Sequence, residues 1–277
     1  MFCLYAYFRL INPYLDVGLP VEKASEDVFN RHSVEIYGDT YSYWTNNVLN
    51  PRKTVVMLPP STAMGDHFGK FAQIFPGDVL IIAPDYPGRG LTDSIPAFDT
   101  APLIANRVAI LLKELLGDKS FDVVAPSFGG MIGTRLVKDS DLNINQIFLI
   151  ATGEFFGSDQ KIMYKALFHP AKTSERIRSN YVSLVTGLGI FTEWQGSNIE
   201  EILEQWLMTI DYEIDTTQTS PVPAVIVIFT QDNVIRPGSD VKLQKVFVNS
   251  RTVNADLKHT SENFFSPEIV EILLSGI

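Results

Sequence analysis

The sequence predicts an α/β fold, with a mostly parallel central sheet, helices on both of its faces and a helical insertion late in the chain. Three observations predict it. Five short apolar runs fail to alternate with polar residues, as strands covered on both faces do. Helical patterns separate these runs, the ordering that builds parallel sheets. Between residues 154 and 220 the alternation stops and helix-like pieces take its place.

Taken in order, the opening run Met1-Phe2-Cys3-Leu4-Tyr5-Ala6-Tyr7-Phe8 is apolar, but no basic segment precedes it and no small-residue cleavage site follows. Arg9 and Asn12-Pro13 interrupt it, well short of the roughly 20 apolar residues of a membrane span. It reads as a face packed on the body of the protein or as a contact between copies in a homo-oligomer, with attachment to a membrane surface the alternative. Ser33-Val34-Glu35-Ile36-Tyr37 and Tyr41-Ser42-Tyr43-Trp44 read as a hairpin joined across Gly38-Asp39. The five runs follow: Val55-Val56-Met57-Leu58, Val79-Leu80-Ile81-Ile82, Phe121-Asp122-Val123-Val124, Ile147-Phe148-Leu149-Ile150 and Ala224-Val225-Ile226-Val227-Ile228-Phe229. Over residues 104–116, Ile104, Val108, Leu111, Leu112 and Leu115 recur at helical spacing. Helix-like pieces at residues 160–168, 175–188 and 199–210 fill a segment too long for a structureless loop. Residues 1–153 and 221–277 are therefore expected to form the core, with 154–220 a helical lid inserted after the sixth strand.

One large domain suits 277 residues, of which 45% are hydrophobic and 19% charged. A formal net charge of -10 with no Lys/Arg cluster repels polyphosphate, which argues against a nucleic-acid partner. The lone cysteine, Cys3, excludes an internal disulfide and a cysteine-based metal cluster, and fits a reducing, cytoplasmic setting. Without ligand-spaced His, Asp and Glu or a phosphate-cradling loop, neither a metal nor another cofactor is expected. The partner expected is a small-molecule substrate.

Chemistry enters at Ala125-Pro126-Ser127-Phe128-Gly129-Gly130, between a predicted strand and the helix-like residues 131–137. A serine on so sharp a turn is pushed toward substrate, provided that its neighbours two residues away on either side are small enough for strand and helix to approach. Ala125 and Gly129 meet that demand. The Phe128 amide then falls at the start of the helix, where unpaired N–H groups and the dipole can hold a developing oxyanion. A serine at a helix start is often only a cap, and context has to separate the two readings.

Context comes from Ala83-Pro84-Asp85-Tyr86-Pro87-Gly88-Arg89-Gly90-Leu91-Thr92-Asp93, which resembles the Asp-x-Pro-Gly-x-Gly-x-Ser segment after the fourth strand of the α/β-hydrolase superfamily. The resemblance runs from Ser33 to the C-terminus, the lid excepted, and implies the α/β-hydrolase fold with a serine nucleophile, Ser127. In that family the glycine-rich turn is structural, which implies hydrogen-bonding and ion-pairing scaffold roles for Asp85 and Arg89. The family order of nucleophile, acid and histidine points to Asp232, in Phe229-Thr230-Gln231-Asp232-Asn233, and to His259, ahead of a last helical pattern at residues 267–274. Asp232 would fix the imidazole tautomer and stabilise the imidazolium, with an Asx turn at Asp232-Asn233 the competing reading. Glu154 is the rival acid and His67 the rival base.

Two departures from the family pattern stand out. Where members often carry His-Gly after the third strand, this chain has Pro59-Pro60, neither of which offers an N–H, so the second oxyanion donor falls to Ser61 or Thr62 beside Phe128. Ala125-Pro126 replaces Gly-x before the serine. With serine as nucleophile the resemblance implies cleavage of an ester, thioester or related carbonyl bond. Carbon-carbon hydrolysis, acyl transfer and non-catalytic ligand binding are the alternatives. Phe155, Phe156, Met163, Tyr164, Trp194 and Trp206 in the presumed lid suggest an apolar substrate.

Overall fold

A computed structural model of the chain describes residues 29–61, 65–94, 101–155, 208–209, 211–260 and 262–277. An eight-stranded sheet runs in the order β1-β2-β4-β3-β5-β6-β7-β8. Its strands are β1 (Asn30–Ile36), β2 (Asp39–Thr45), β3 (Lys53–Met57), β4 (Val79–Pro84), β5 (Phe121–Pro126), β6 (Ile144–Ile150), β7 (Ala224–Phe229) and β8 (Ser250–Ala255). β2 is antiparallel to β1 and β4, and the pairings from β4 across to β8 are parallel.

The non-alternating runs are explained by two cores, one on each face of the sheet. Because successive side chains of a strand point to opposite faces, Val56, Val123, Ile147 and Ile226 enter one cluster, while Val55, Val124, Phe148 and Val225 enter the other. The helices divide accordingly. α1 (Gly69–Ile74) and α5 (Pro267–Gly276) cover the second face. α2 (Ala101–Leu116), α3 (Phe128–Asp139) and α4 (Ser239–Val246) cover the first. One charge lies inside a central strand: Asp122, wholly buried, is held by Lys53 at 2.8 Å and by the Gln146 amide at 2.9 Å.

Two details differ from the sequence expectation. The hairpin turns on Tyr37-Gly38 rather than Gly38-Asp39, since Ile36 pairs with Asp39. With φ of 54° at Tyr37 and 87° at Gly38, both central residues are left-handed, the turn whose twist matches a two-residue hairpin. β8 is the strand that the apolar runs do not announce. As an edge strand with three of its six residues exposed and only Ala255 buried, it is polar by sequence. The insertion occupies the chain between β6 and β7, but the helical lid read over 154–220 falls largely on residues 156–207 and 210, outside the described residues.

Strand order places the site. β3 connects to β4 on one side, whereas β5 lies against the other side of β3, so the β3/β5 boundary is the sheet's topological switch point. Crevices beyond the carboxyl ends of such strands are where open α/β sheets bind ligands.

Candidate active site

Ser127 follows the last residue of β5 and caps α3, with φ 50° and ψ -119°. Such backbone costs about 1–3 kcal/mol and persists only where surroundings over-determine it. Here the Ser127 N–H donates to Ile150 O at 2.9 Å, and its carbonyl accepts from the Gly130 N–H at 2.9 Å and the Thr152 hydroxyl at 2.7 Å. The demand for small neighbours is met: a Cβ on Gly129 would stand 2.3 Å from Leu58 O, and one on Gly133 3.2 Å from the Ala125 methyl. Gly129→Ala should therefore destabilise the fold by about 1–3 kcal/mol, because the clashing atom is backbone and cannot rotate away. Thermal denaturation of the variant measures this, and an unchanged midpoint would mean that the helix can lift off β3 at no cost.

The Ser127 Oγ lies 2.9 Å from His259 Nε2, and His259 Nδ1 lies 2.8 Å from Asp232 Oδ2. Three residues far apart in sequence thus form one hydrogen-bonded chain at the carboxyl ends of β5, β7 and β8. The loops carrying the acid and the base are zipped together. Beyond the β7/β8 ladder the Thr230 N–H donates to Ala255 O at 2.9 Å and the Gln231 N–H to Leu257 O at 3.1 Å, while both side chains bond Asp256. Those two bonds hold the Asp256 carboxyl below the usual carboxylate range. The His259 ring meets the edge of Phe264 with centroids 5.1 Å apart.

At Asp232 the two competing sequence readings hold together. Oδ1 accepts the amides of Val234 at 2.8 Å and Ile235 at 3.0 Å, an Asx-type turn, and this leaves Oδ2 aimed at the imidazole. The turn is what orients the acid.

The rivals are occupied elsewhere. His67 pairs with its neighbour Asp66 at 3.1 Å, and His32 stacks on Tyr43. His169 lies outside the described residues. Glu154, buried after β6, takes Lys242 and the Ile214 N–H on Oε1 and Arg236 on Oε2. Burial alone would raise its pKa, but Lys242, the Ile214 amide and the charge of Arg236 outweigh that and hold it below the ordinary value. A depressed folded pKa adds stability that is complete above the unfolded value, about 4.3, and drains away as pH falls through the folded one. Glu154→Gln should accordingly cost about 1–3 kcal/mol at pH 7, with the deficit shrinking below about pH 4. Denaturant titrations at both pH values test this, and a deficit independent of pH would place its origin outside the carboxylate.

Of the oxyanion candidates, the Phe128 amide stands at the first position of α3, where no carbonyl of the helix can accept it. Ser61 lies just past β3, and Thr62 is outside the described residues. Tyr86 and Arg89, from the glycine-rich turn after β4, grip the carbonyls beside Ser61: the Tyr86 hydroxyl donates to Pro59 O at 3.0 Å, and Arg89 donates to Pro60 O and Ser61 O. Asp85 accepts from the Ser42 hydroxyl at 2.7 Å and the Gly65 N–H at 3.0 Å, a scaffold arrangement. Sequence reasoning did not find Thr152, which nothing in its local pattern distinguishes.

Solved structures share this architecture over nearly the whole chain. A hydrolase from Pseudomonas aeruginosa matches with a TM-score of 0.68 at 14% identity, covering 89% of this chain and 97% of its own. An esterase from Exiguobacterium antarcticum matches at 0.67 and 15% identity, covering 87% and 97%. An enol-lactonase from Burkholderia xenovorans matches at 0.65 and 16% identity, covering 88% and 98%. The chain has the α/β-hydrolase fold. No family model and no curated protein matches the sequence itself. Within that α/β-hydrolase frame, the Ser127-His259-Asp232 arrangement suits serine-nucleophile chemistry on a carbonyl substrate. Among the described residues no group of His, Cys, Asp and Glu is placed to hold a metal, and no helix is long and apolar enough to cross a membrane.

Proposed function

We propose that this protein is a serine hydrolase cleaving an ester, thioester or related carbonyl bond of a small, largely apolar substrate. The observation that carries the reading is the relay itself: a strained, elbow-borne Ser127 hydroxyl bonded to His259, whose other nitrogen is held by Asp232. His259 Nε2 takes the hydroxyl proton as Oγ bonds to the carbonyl carbon, and then returns it to the leaving oxygen, nitrogen or sulfur as that bond breaks. Water, deprotonated by the same imidazole, releases the acid from the acyl-enzyme and restores Ser127. The amides of Phe128 and of Ser61 or Thr62 are assigned to the oxyanion. Residues 154–220 are assigned to a lid over the crevice, with 1–153 and 221–277 as the core. An esterase and an enol-lactonase among the proteins of the same fold support the choice of an ester bond.

A series of p-nitrophenyl esters of increasing acyl length tests the reading. Turnover should appear with the short esters, and kcat/KM should gain about 0.8 kcal/mol per added methylene until the pocket is filled. No turnover of any ester, or no gain with chain length alongside a preference for charged substrates, would overturn it.

A further inference from the structure

Arg89 is only 1% exposed, although it sits on a turn at the end of the sheet. A buried guanidinium is costly unless its donors find acceptors in good geometry. Its Nη2 donates to Ser61 O at 2.9 Å and its Nη1 to Pro60 O at 3.4 Å. Its Cζ lies over the Tyr86 ring, 5.2 Å from the centroid, and over the Phe128 ring, 6.0 Å from the centroid. Tyr86 in turn packs edge-on against Phe128 and donates to Pro59 O. Three successive carbonyls after β3 are therefore held by one turn, and the same cation rests on the side chain of the residue after Ser127.

The consequence follows from peptide geometry. A trans peptide is planar, and its C=O and N–H point in opposite directions. With the Pro60 carbonyl turned toward Arg89, the Ser61 N–H is turned away from it. Pro59 and Pro60 have no N–H, so Ser61 is the first residue after Leu58 able to donate, and nothing before it in this segment replaces a misaligned bond. The segment also abuts α3, since a Cβ on Gly129 would stand 2.3 Å from Leu58 O and 3.1 Å from Pro59 O.

We propose that Arg89 is a positioning residue of the oxyanion site, gripping the Pro60 and Ser61 carbonyls with its cation over the Phe128 ring, and so setting the direction of the Ser61 amide and its spacing from the Phe128 amide. The role rests on the serine-hydrolase reading above. A lysine is no substitute, because one ammonium cannot present a flat fork to two carbonyls and a ring face together.

The experiment compares full-length wild type, Arg89→Met, Arg89→Lys and Tyr86→Phe with p-nitrophenyl butyrate as substrate and phenylboronic acid as a mimic of the tetrahedral adduct. Loss of a whole oxyanion donor costs about 100- to 1000-fold in kcat, so a misdirected one should cost about 10- to 100-fold. KM should stay within about twofold, since binding the ground state does not use the hole. Inhibition by phenylboronic acid should weaken in step with kcat, and the pH profile should keep the wild-type shape, because the triad is untouched. Tyr86→Phe should lose about 3- to 10-fold, being one bond further from the amide. Should Arg89→Met fail to fold, Arg89→Lys and Tyr86→Phe decide. Folded variants with wild-type kcat and boronate affinity, full activity in Arg89→Lys, or an altered pH profile would each overturn the positioning role. A wild-type chain inert toward esters would instead sink the hydrolase reading, and the inference with it.

Discussion

Ser127→Ala should lower kcat/KM for a p-nitrophenyl ester by about 10³- to 10⁶-fold, the range expected when the nucleophile of a triad is removed. The acyl-enzyme forms on Oγ, and no other group in the described structure is bonded to His259 Nε2. The fold should survive. Alanine adopts the same left-handed backbone at a similar strain, the bonds from Ile150, Gly130 and Thr152 involve backbone atoms of residue 127, and His259 keeps Asp232. The melting midpoint should therefore move by no more than about 1 kcal/mol allows. Rate and denaturation curves measured together make the result decisive, with a fluorophosphonate probe as a third readout that should label wild type and spare the variant. Ester turnover reduced by less than tenfold would mean that the nucleophile lies elsewhere.

Asp232→Asn should cost about 10⁴-fold in kcat near neutral pH with little loss of stability. Asparagine can keep the turn, because its Oδ1 still accepts the Val234 and Ile235 amides. Its amide nitrogen then replaces Oδ2 opposite His259 Nδ1 and donates where the carboxylate accepted. The imidazole is forced to carry its proton on Nε2, which leaves it unable to take one from Ser127. Asp232→Ala separates the two jobs of this side chain: it should match the catalytic loss and additionally destabilise the loop by about 1–2 kcal/mol as both amides lose their acceptor. Kinetics and denaturation of the pair check this. Nearly wild-type kcat in Asp232→Asn would mean that the tautomer is held by another group, and Glu154, committed to Lys242 and Arg236, is not free to be it.

Linear order alone carried a good part of this. Ser127 and Asp232 follow strand-like runs, His259 comes after both in a family-specific order, and the unalternating runs demanded a sheet covered on both faces. Both are local properties, legible because burial on two faces leaves its mark on every residue of a strand. Other features were illegible for equally physical reasons. β8 buries little of its surface, so its composition is that of a loop until a neighbour pairs with it. The hairpin register moved by one residue because Tyr37 accepts a left-handed backbone that sequence would assign to glycine or asparagine.

What the amino-acid sequence determined by itself was the fold class, the alternation of strands and helices, and a short set of candidate residues with their order along the chain. Tertiary structure alone decided which of the candidates meet. The order β4-β3-β5 sets the turn after β4 against the segment after β3, so that Arg89 holds the carbonyls of Pro60 and Ser61. The pairing of β7 with β8 brings Asp232 rather than Glu154 to His259. Hydrogen bonds reach about 3 Å, whereas sequence spacing places residues only along the chain. Until the sheet fixes which strand ends are neighbours, a carboxylate and an imidazole in the right order have no defined distance between them.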